Sequence, residues 1–205
     1  MKKNKTSKNW LIKQHKDLFF RQSKIYGYRS RSAFKLIEMN DKFKFLNNNT
    51  HLLDLGSSPG GWSQVARKKI AKGKILSVDI QQMDTIDNVK FLKGDLSDSS
   101  ICKKINEFFE KKIDVVLSDV APNTSGNKSV DSYRTGELCL QAMNLAYNIL
   151  NQDGVFLSKL FMGSIFAEIN KKAQKCFKKV IKYKPSASRK ESKEIYIYCK
   201  GILNI

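Results

Sequence analysis

Residues 52–63 read Leu52-Leu53-Asp54-Leu55-Gly56-Ser57-Ser58-Pro59-Gly60-Gly61-Trp62-Ser63. A short apolar run is followed by a glycine-rich turn and then by a candidate helix start at Gly61. This order is typical of a strand–loop–helix unit in an α/β sheet, where ligands bind at the carboxyl ends of the strands. Glycines in such a loop let the main chain approach a ligand, and the helix N-terminus favours an anionic group.

Single residues in this loop exclude two common phosphate-binding motifs. Gly56 and Gly61 have the spacing of a P-loop, but Trp62 stands where that motif requires lysine. Ser58 occupies the second glycine position of the dinucleotide-binding fingerprint. The loop therefore suits a nucleoside ligand that carries a carboxylate better than it suits a pyrophosphate.

Short apolar runs alternate with helical patterns along the rest of the chain. Strands are predicted over residues 51–55, 74–80, 89–92, 113–118, 154–160, 180–183 and 194–199. Helices are predicted over residues 30–45 (with Ser30 or Ser32 as N-cap), 61–70, 100–111, 133–150 and 164–177. This alternation predicts an α/β fold with a doubly wound, mostly parallel, seven-stranded sheet. The short connection before the last strand predicts an antiparallel pair of strands at one end of the sheet.

Carboxylates follow the second and third predicted strands. Asp79 lies 23 residues after Gly56, where an acid binds ribose hydroxyls in related folds. Asp95 follows the third strand, where a carboxylate can reach an adenine amino group. Either aspartate taken singly fits an ordinary turn residue. The loop and both aspartates, at the ends of three successive strands, together indicate S-adenosylmethionine as the cofactor.

Several separated motifs resemble those of the FtsJ/RrmJ family. They are the loop over residues 54–63, SDVAPN at residues 118–123 and SRKESKEIY at residues 188–196, supported by RSRSAFKL at residues 29–36. The resemblance runs from about residue 10 to residue 201. It implies a Rossmann-like S-adenosylmethionine-dependent methyltransferase fold. It also implies methyl transfer to the ribose 2′-hydroxyl of a uridine in 23S rRNA, within the 50S ribosomal subunit.

The resemblance also implies which residues form the site. The family's catalytic set falls on Lys35, Asp119, Lys159 and Glu194. Lys159 is then the base that activates the weakly nucleophilic hydroxyl, or the group that orients it. The family's cofactor contacts fall on Gly60, Trp62, Asp79, Asp95 and Asp119.

The charge distribution favours a polyanionic partner. Lysine and arginine number 38 against 19 aspartates and glutamates, a formal net charge of +19. Basic residues concentrate in residues 1–35 and 171–193. We therefore expect a basic, RNA-contacting leader over residues 1–30 and a single methyltransferase domain over residues 31–205. Arg29, Arg31, Lys35, Lys182, Lys184 and Arg189 are the predicted RNA contacts. The alternative is a uniformly lysine-rich surface produced by codon bias.

Other classes of site and location find little support in the sequence. The four cysteines form no C-x-x-C pair, and neither His15 nor His51 has partners for a metal site or a catalytic triad. No apolar stretch approaches the 18 residues or more that a membrane span needs, and no signal peptide is visible. The expectation is a cytoplasmic monomer without a metal ion.

Three alternatives stay open at this point. One is a tRNA 2′-O-methyltransferase of the same family, and another is a catalytically silent ribosome-assembly factor that keeps the fold. The third is an amino methyltransferase, because Asp119-Val120-Ala121-Pro122 loosely resembles that class's acidic motif. It lacks the second proline and the aromatic residue of that motif.

Overall fold

A computed structural model of the chain describes residues 17–122 and 125–203. Its strands are β1 (Leu52–Leu55), β2 (Ile75–Asp79), β3 (Lys90–Lys93), β4 (Ile113–Ser118), β5 (Leu150–Phe161), β6 (Phe177–Tyr183) and β7 (Glu194–Ile202). Its helices are α1 (Leu18–Ile25), α2 (Ser32–Phe43), α3 (Gly61–Lys69), α4 (Ser99–Phe109), α5 (Lys128–Ile149) and α6 (Phe166–Cys176).

The seven strands form one sheet in the order β3-β2-β1-β4-β5-β7-β6. The pairs β1–β2, β2–β3, β1–β4 and β4–β5 are parallel. Strand β7 runs antiparallel to both β5 and β6. The predicted doubly wound α/β fold, with a mostly parallel sheet and one antiparallel strand, is confirmed.

Helices cover both faces of the sheet. On one face, Leu36 of α2 and Trp62 of α3 pack with Leu157 and Tyr196 in one buried cluster. On the other face, the helices α4, α5 and α6 pack in a second cluster that includes Phe156 and Cys199. All four residues of β1 are buried, because helices lie above and below that central strand. The burial on both faces that the continuous apolar run of β1 predicts is therefore confirmed.

Two helix starts differ from the sequence prediction. Helix α5 begins at Lys128, and the Asn127 side chain caps it by accepting from Ser129 N at 3.0 Å. This first turn is polar and carries no apolar periodicity, so the prediction placed the start at residue 133. The predicted cap of α2 at Ser30 or Ser32 is wrong, because those two hydroxyls bond each other at 2.6 Å and Arg31 holds the cap position.

The amino-terminal region is only partly covered by the described residues. Residues 1–16 of the predicted leader lie outside them. Helix α1 packs against α2, with the Phe19 and Phe34 ring centroids 5.6 Å apart. The domain boundary at residue 30 stays a prediction. Across the described ranges, no helix is both long and apolar enough to cross a bilayer.

Candidate active site

The carboxyl ends of β1, β2, β4 and β5 border a cavity of about 480 Å³. This is where ligands bind in open α/β sheets. We call it the strand-end cavity. Its lining includes three carboxylates and one ammonium group, contributed by Asp79, Asp95, Asp119 and Lys159.

The glycine-rich loop takes its shape from close main-chain approaches. Gly56 has φ +71°, and a Cβ there would lie 2.7 Å from the Val120 main chain, so the ends of β1 and β4 can touch only with glycine between them. Asp79 secures the same loop from β2. Its carboxylate accepts from Ser58 N at 2.9 Å and from Gln81 N at 2.8 Å. Asp79 thus has a structural partner on each oxygen besides its predicted role toward a ribose.

The predicted cofactor residues divide into two groups in the structure. Asp79, Asp95 and Asp119 all line the strand-end cavity, whereas Gly60 and Trp62 are absent from its lining. The Trp62 side chain is buried, and its indole Nε1 donates to Ser32 O at 2.9 Å. The loop reaches the cavity through Gly56 and Ser58 instead. The predicted cofactor contacts of Gly60 and Trp62 stay predictions.

Lys159 and Asp119 form the inner ion pair of the site. Lys159 Nζ lies 3.0 Å from Asp119 Oδ1 and donates to Asp119 O at 2.7 Å. Tyr196 OH donates to the same Oδ1 at 3.0 Å. Two of the three donor positions of the ammonium group thus face Asp119, which leaves one for a further partner.

Lys35 and Glu194 form a second ion pair beside the first. Lys35 Nζ lies 2.7 Å and 2.8 Å from the two carboxylate oxygens of Glu194. Ser188 Oγ donates to Glu194 Oε1 at 2.7 Å. Lys35 Nζ also lies 5.8 Å from the centroid of the Tyr196 ring, so that the tyrosine links the two pairs. The structure therefore brings all four predicted catalytic residues together.

The electrostatics of this group keep the carboxylate charged and the phenol neutral. Burial raises the pKa of Asp119, but the Lys159 and Lys35 charges and hydrogen bonds from Lys159 and Tyr196 outweigh it, so that pKa lies below its usual value. Burial, together with Asp119 and Glu194, raises the pKa of Tyr196 well above its usual value. Tyr196 therefore acts as a donor at neutral pH.

Two buried polar atoms at the glycine-rich loop have no hydrogen-bond partner among residues 17–122 and 125–203. They are Asp54 Oδ1 and Ser57 Oγ. The other oxygen of Asp54 accepts from Ser63 Oγ at 2.6 Å. Burial raises the pKa of Asp54 to about 7, and the nearby Asp119 and Asp79 charges add to this rise. A ligand or a bound water at this loop would supply hydrogen-bond partners for these two atoms.

Residues that the sequence analysis missed include Tyr196 and Ser188. Tyr196 lies two positions after Glu194 on β7 and therefore projects from the same face of that strand. Ser188 opens the same motif. Period-two spacing from Glu194 was the available signal for Tyr196, but no pattern in the sequence indicated that its hydroxyl meets Asp119 from another strand.

Several predicted RNA contacts are instead bound within the protein. Arg29 donates to Asp84 O and Thr85 O, each at 2.7 Å, and so clamps the segment after β2. Arg31 pairs with Asp17 and donates to Ala187 O. Lys35 pairs with Glu194, and Lys184 Nζ donates to Ser192 O at 2.7 Å. Lys182 and Arg189 are exposed, although Arg189 Nε also lies 3.8 Å from Asp17 Oδ2 and Lys182 Nζ lies 4.8 Å from the centroid of the Phe166 ring.

Comparison with known proteins identifies relatives over nearly the whole chain. Residues 28–202 match the FtsJ-like methyltransferase family. Ribosomal RNA large subunit methyltransferase E of Pelagibacter ubique is 48% identical over 200 residues, which cover 98% of each chain. The protein of the same name from Rickettsia bellii is 42% identical over 202 residues, covering 96% of this chain and 89% of its own.

Solved structures show the same architecture. A Plasmodium falciparum protein described as a ribosomal RNA methyltransferase is 35% identical, with a TM-score of 0.79 over 87% of this chain and 100% of its own. A Streptococcus mutans protein solved in complex with SAH is 11% identical, with a TM-score of 0.53 over 83% of this chain and 95% of its own. The second likeness bears on the fold alone.

Proposed function

The chain belongs to the FtsJ-like methyltransferase family, and from that premise we propose that it methylates a uridine ribose 2′-hydroxyl of 23S rRNA, with S-adenosylmethionine as donor. Its relatives from Pelagibacter ubique and Rickettsia bellii are named for the ribosomal RNA of the large subunit. The observation that carries the proposal is the position of Lys159. It lines the strand-end cavity and is held by Asp119 within the group of four predicted catalytic residues.

The charge of the strand-end cavity supports this donor. Three carboxylates face one ammonium group in its lining. Such a lining favours a cationic ligand and disfavours a pyrophosphate. S-adenosylmethionine carries a sulfonium and an amino group against a single carboxylate. The residues present therefore fit this cofactor and fit a dinucleotide poorly.

The residues around the cavity can hold each part of the cofactor. Asp79 and Asp95, at the ends of β2 and β3, would hold the ribose and the adenine. The loop at Gly56 and Ser58, beside the unpartnered Asp54 Oδ1 and Ser57 Oγ, would hold the amino acid portion. Asp119 would face the sulfonium. When bound, the cofactor supplies an electrophilic methyl group for an in-line displacement.

The chain's own residues have to position and activate the acceptor. The remaining donor position of Lys159, or its lone pair when deprotonated, is available to the 2′-hydroxyl. With the cofactor bound, the 2′-oxygen would take the methyl group, and the hydroxyl proton would pass to Lys159 when that amine is neutral, or otherwise to water. Alignment of oxygen, methyl carbon and sulfur can supply much of the rate. Tyr196 and the Lys35–Glu194 pair hold Lys159 and Asp119 in place.

A labelled-methyl assay tests this proposal. Large ribosomal subunits from a strain lacking the corresponding gene would be incubated with the protein and tritiated S-adenosylmethionine. Label that appears at one phosphodiester resistant to alkaline hydrolysis identifies 2′-O transfer. Label in tRNA instead would indicate the tRNA branch of the family. Cofactor binding without label in any RNA would indicate a silent assembly factor.

A further inference from the structure

A second cavity of about 320 Å³ lies at the carboxyl end of β5. We call it the β5-end cavity. Phe161, Met162 and Gly163 form one side of it, the first turn of α5 forms another, and residues 191–193 before β7 form the third. None of its lining residues belongs to the strand-end cavity or to the predicted cofactor contacts.

The β5-end cavity is next to the reacting group. Phe161 lies two residues beyond Lys159 on β5, a rise of about 6.6 Å. Phe161 also pairs in register with Glu194, and Met162 N donates to Lys193 O at 3.0 Å. In a nucleotide, the base is bonded to the sugar carbon adjacent to the one that carries the 2′-hydroxyl. A ribose presented to Lys159 therefore places its base within reach of this cavity.

The lining suits a nucleobase and not a phosphate. Asp131 and Glu191 outnumber Lys193 there, so the cavity repels phosphate although the protein as a whole is basic. Carboxylates and serine hydroxyls can instead bond the N–H and carbonyl groups on the edge of a base. About 320 Å³ is at the lower end of the usual range for ligand pockets, which suits a single base.

Exposed apolar side chains lie on the same segments as the residues that line this cavity. Met162 lines the cavity and is 42% exposed, and Tyr133 and Val130, on the adjacent turn of α5, are 53% and 37% exposed. Unpaired RNA bases are bound by stacking on such side chains together with hydrogen bonds to their edges. The β5-end cavity therefore combines a polar, acidic lining with apolar side chains for stacking on the segments that form it.

We propose that the β5-end cavity receives the unpaired base of the acceptor nucleotide and thereby positions its ribose against Lys159. This inference rests on the proposed RNA methyltransferase function and adds a site for the substrate. It requires the acceptor base to leave any helix or stack before transfer. Tyr133 and Met162 are positioning residues in this arrangement, because they act on the ribose through the base.

Photocrosslinking tests where the base binds. Undermethylated large subunits containing 4-thiouridine would be bound to the protein with S-adenosylhomocysteine and irradiated, and the crosslinked peptides digested with trypsin. We expect crosslinks from the acceptor nucleotide to the tryptic peptides that carry the cavity lining, which are residues 129–134, 160–171 and 191–193. Crosslinks from that nucleotide confined to other peptides would overturn the inference, even where methyl transfer itself is normal.

Variants supply the second measurement. Tyr133→Ala and Met162→Ala should each lower kcat/KM for the subunits at least about fivefold, as expected for loss of base stacking. Affinity for S-adenosylmethionine should not change. Tyr133→Phe and Met162→Leu, which keep the apolar surface, should retain wild-type rates. Alanine variants with wild-type kcat/KM would contradict the inference. A wild-type protein that methylates no RNA would instead contradict the proposed function.

Discussion

Lys159 and Asp119 show how strongly single residues in this site depend on each other. Both side chains are largely buried, with relative exposures of 9% and 17%. Removing one member of a buried pair leaves the other uncompensated, which is more costly than losing an exposed ion pair. The pair therefore serves the structure as well as the chemistry.

Lys159→Met should abolish most methyl transfer while the cofactor still binds. It keeps the volume of the lysine stem but removes the group that meets the hydroxyl. We expect single-turnover rates to fall about 10²–10⁴-fold, as for loss of a positioned base. Affinity for S-adenosylmethionine, measured by calorimetry, should be retained, because the cavity becomes more negative and the ligand is cationic.

The double variant Lys159→Met/Glu194→Gln distinguishes one catalytic unit from two independent pairs. Tyr196 and Lys35 link the pairs, so the double variant should be scarcely slower than Lys159→Met alone. Rates that multiply independently would contradict a single unit. A Lys159→Met protein that keeps more than about a tenth of the wild-type rate would contradict the role assigned to Lys159.

Asp54 gives a prediction about stability and pH. Its folded pKa of about 7 lies above the ordinary value of 3.8, so the folded state binds the proton more tightly than the unfolded state does. Ionised Asp54 therefore destabilises the fold, and this cost grows as pH rises through the interval between the two values. Asp54→Asn removes it. The free energy of unfolding of the variant relative to wild type should rise by about 2–3 kcal/mol between pH 5 and pH 8.

Urea unfolding at the two pH values measures this difference. Asp153→Asn is a suitable control, since that carboxylate is exposed and precedes Gly154 on β5. If the difference in free energy of unfolding between Asp54→Asn and wild type is the same at both pH values, Asp54 does not titrate between them in the folded state. That result would contradict the prediction.

The positions of site residues could be predicted where they depend on position along a strand. Asp79, Asp95 and Lys159 all line the strand-end cavity because they end or follow parallel strands, and strand ends are visible in the sequence. The orientation of Trp62 could not be predicted in this way. The sequence next to Trp62 shows that it follows the loop. The direction of its indole, however, depends on contacts with Ser32 and Tyr196, which are distant in sequence.

At the scale of elements, helix α2 holds the segment between β6 and β7. Glu38 accepts from Tyr183 OH at 2.6 Å, from Ser186 N at 2.8 Å and from Ser186 Oγ at 2.6 Å. That segment carries Ser188, which bonds Glu194. The Glu38 carboxylate of α2 thus holds the segment between β6 and β7, and that segment supplies Ser188 to the group of predicted catalytic residues.

Glu38→Ala should loosen this segment without unfolding the protein. A loss of about 1–2 kcal/mol of local stability corresponds to a 5–30-fold larger open population. Trypsin cleavage after Arg189 and Lys190 should accelerate by a similar factor, and methyl transfer should slow. Cofactor affinity should be unchanged, because Glu38 is absent from the lining of the strand-end cavity.

The pH dependence of cleavage gives this prediction a control. Burial raises the pKa of Glu38, but hydrogen bonds from Ser186, Tyr183 and Ala187 outweigh it and lower the pKa below the ordinary 4.5. The stabilisation of the segment by ionised Glu38 is therefore present at neutral pH and is lost as pH falls through the folded pKa of Glu38. Glu38→Ala and wild type should converge in acid, as measured with an acid-active protease. Equal cleavage at neutral pH would show that the segment is held by other contacts.

The order of the elements could be predicted, whereas the links between them could not. Alternating apolar runs and helical patterns indicated the sheet, and the short link before β7 indicated its antiparallel direction. The clamp of Arg29 on Asp84 and Thr85 joins residues more than fifty positions apart. Such contacts depend on how the finished elements pack, which periodicity in a single sequence does not encode.

At the scale of the whole molecule, opposite charges are separated in space. The chain carries a net charge of +19, yet the strand-end cavity is lined by three carboxylates and one lysine. Under the proposed function, a basic exterior would attract RNA, whereas an acidic cavity would bind a cationic donor and exclude the RNA backbone from the donor site. Several arginines and lysines predicted to contact RNA have protein partners instead, so the exterior field must come from the remaining exposed residues.

The last prediction tests whether these exposed residues form an RNA-binding surface at the site. Arg189 and Lys190 are exposed in the segment that precedes Glu194, whereas Lys103 lies midway along α4 and Lys111 lies just after that helix, at the amino end of β4. Arg189→Gln and Lys190→Gln should each lower the slope of log affinity against log salt by about 0.7–1. Lys103→Gln and Lys111→Gln should leave that slope unchanged.

Binding of 23S rRNA fragments would be measured by fluorescence anisotropy from 50 to about 200 mM salt, the range over which phosphate contacts are resolved. An equal decrease for all four variants would show that the charge acts as a uniform lysine-rich surface, and RNA orientation would then depend on the site itself.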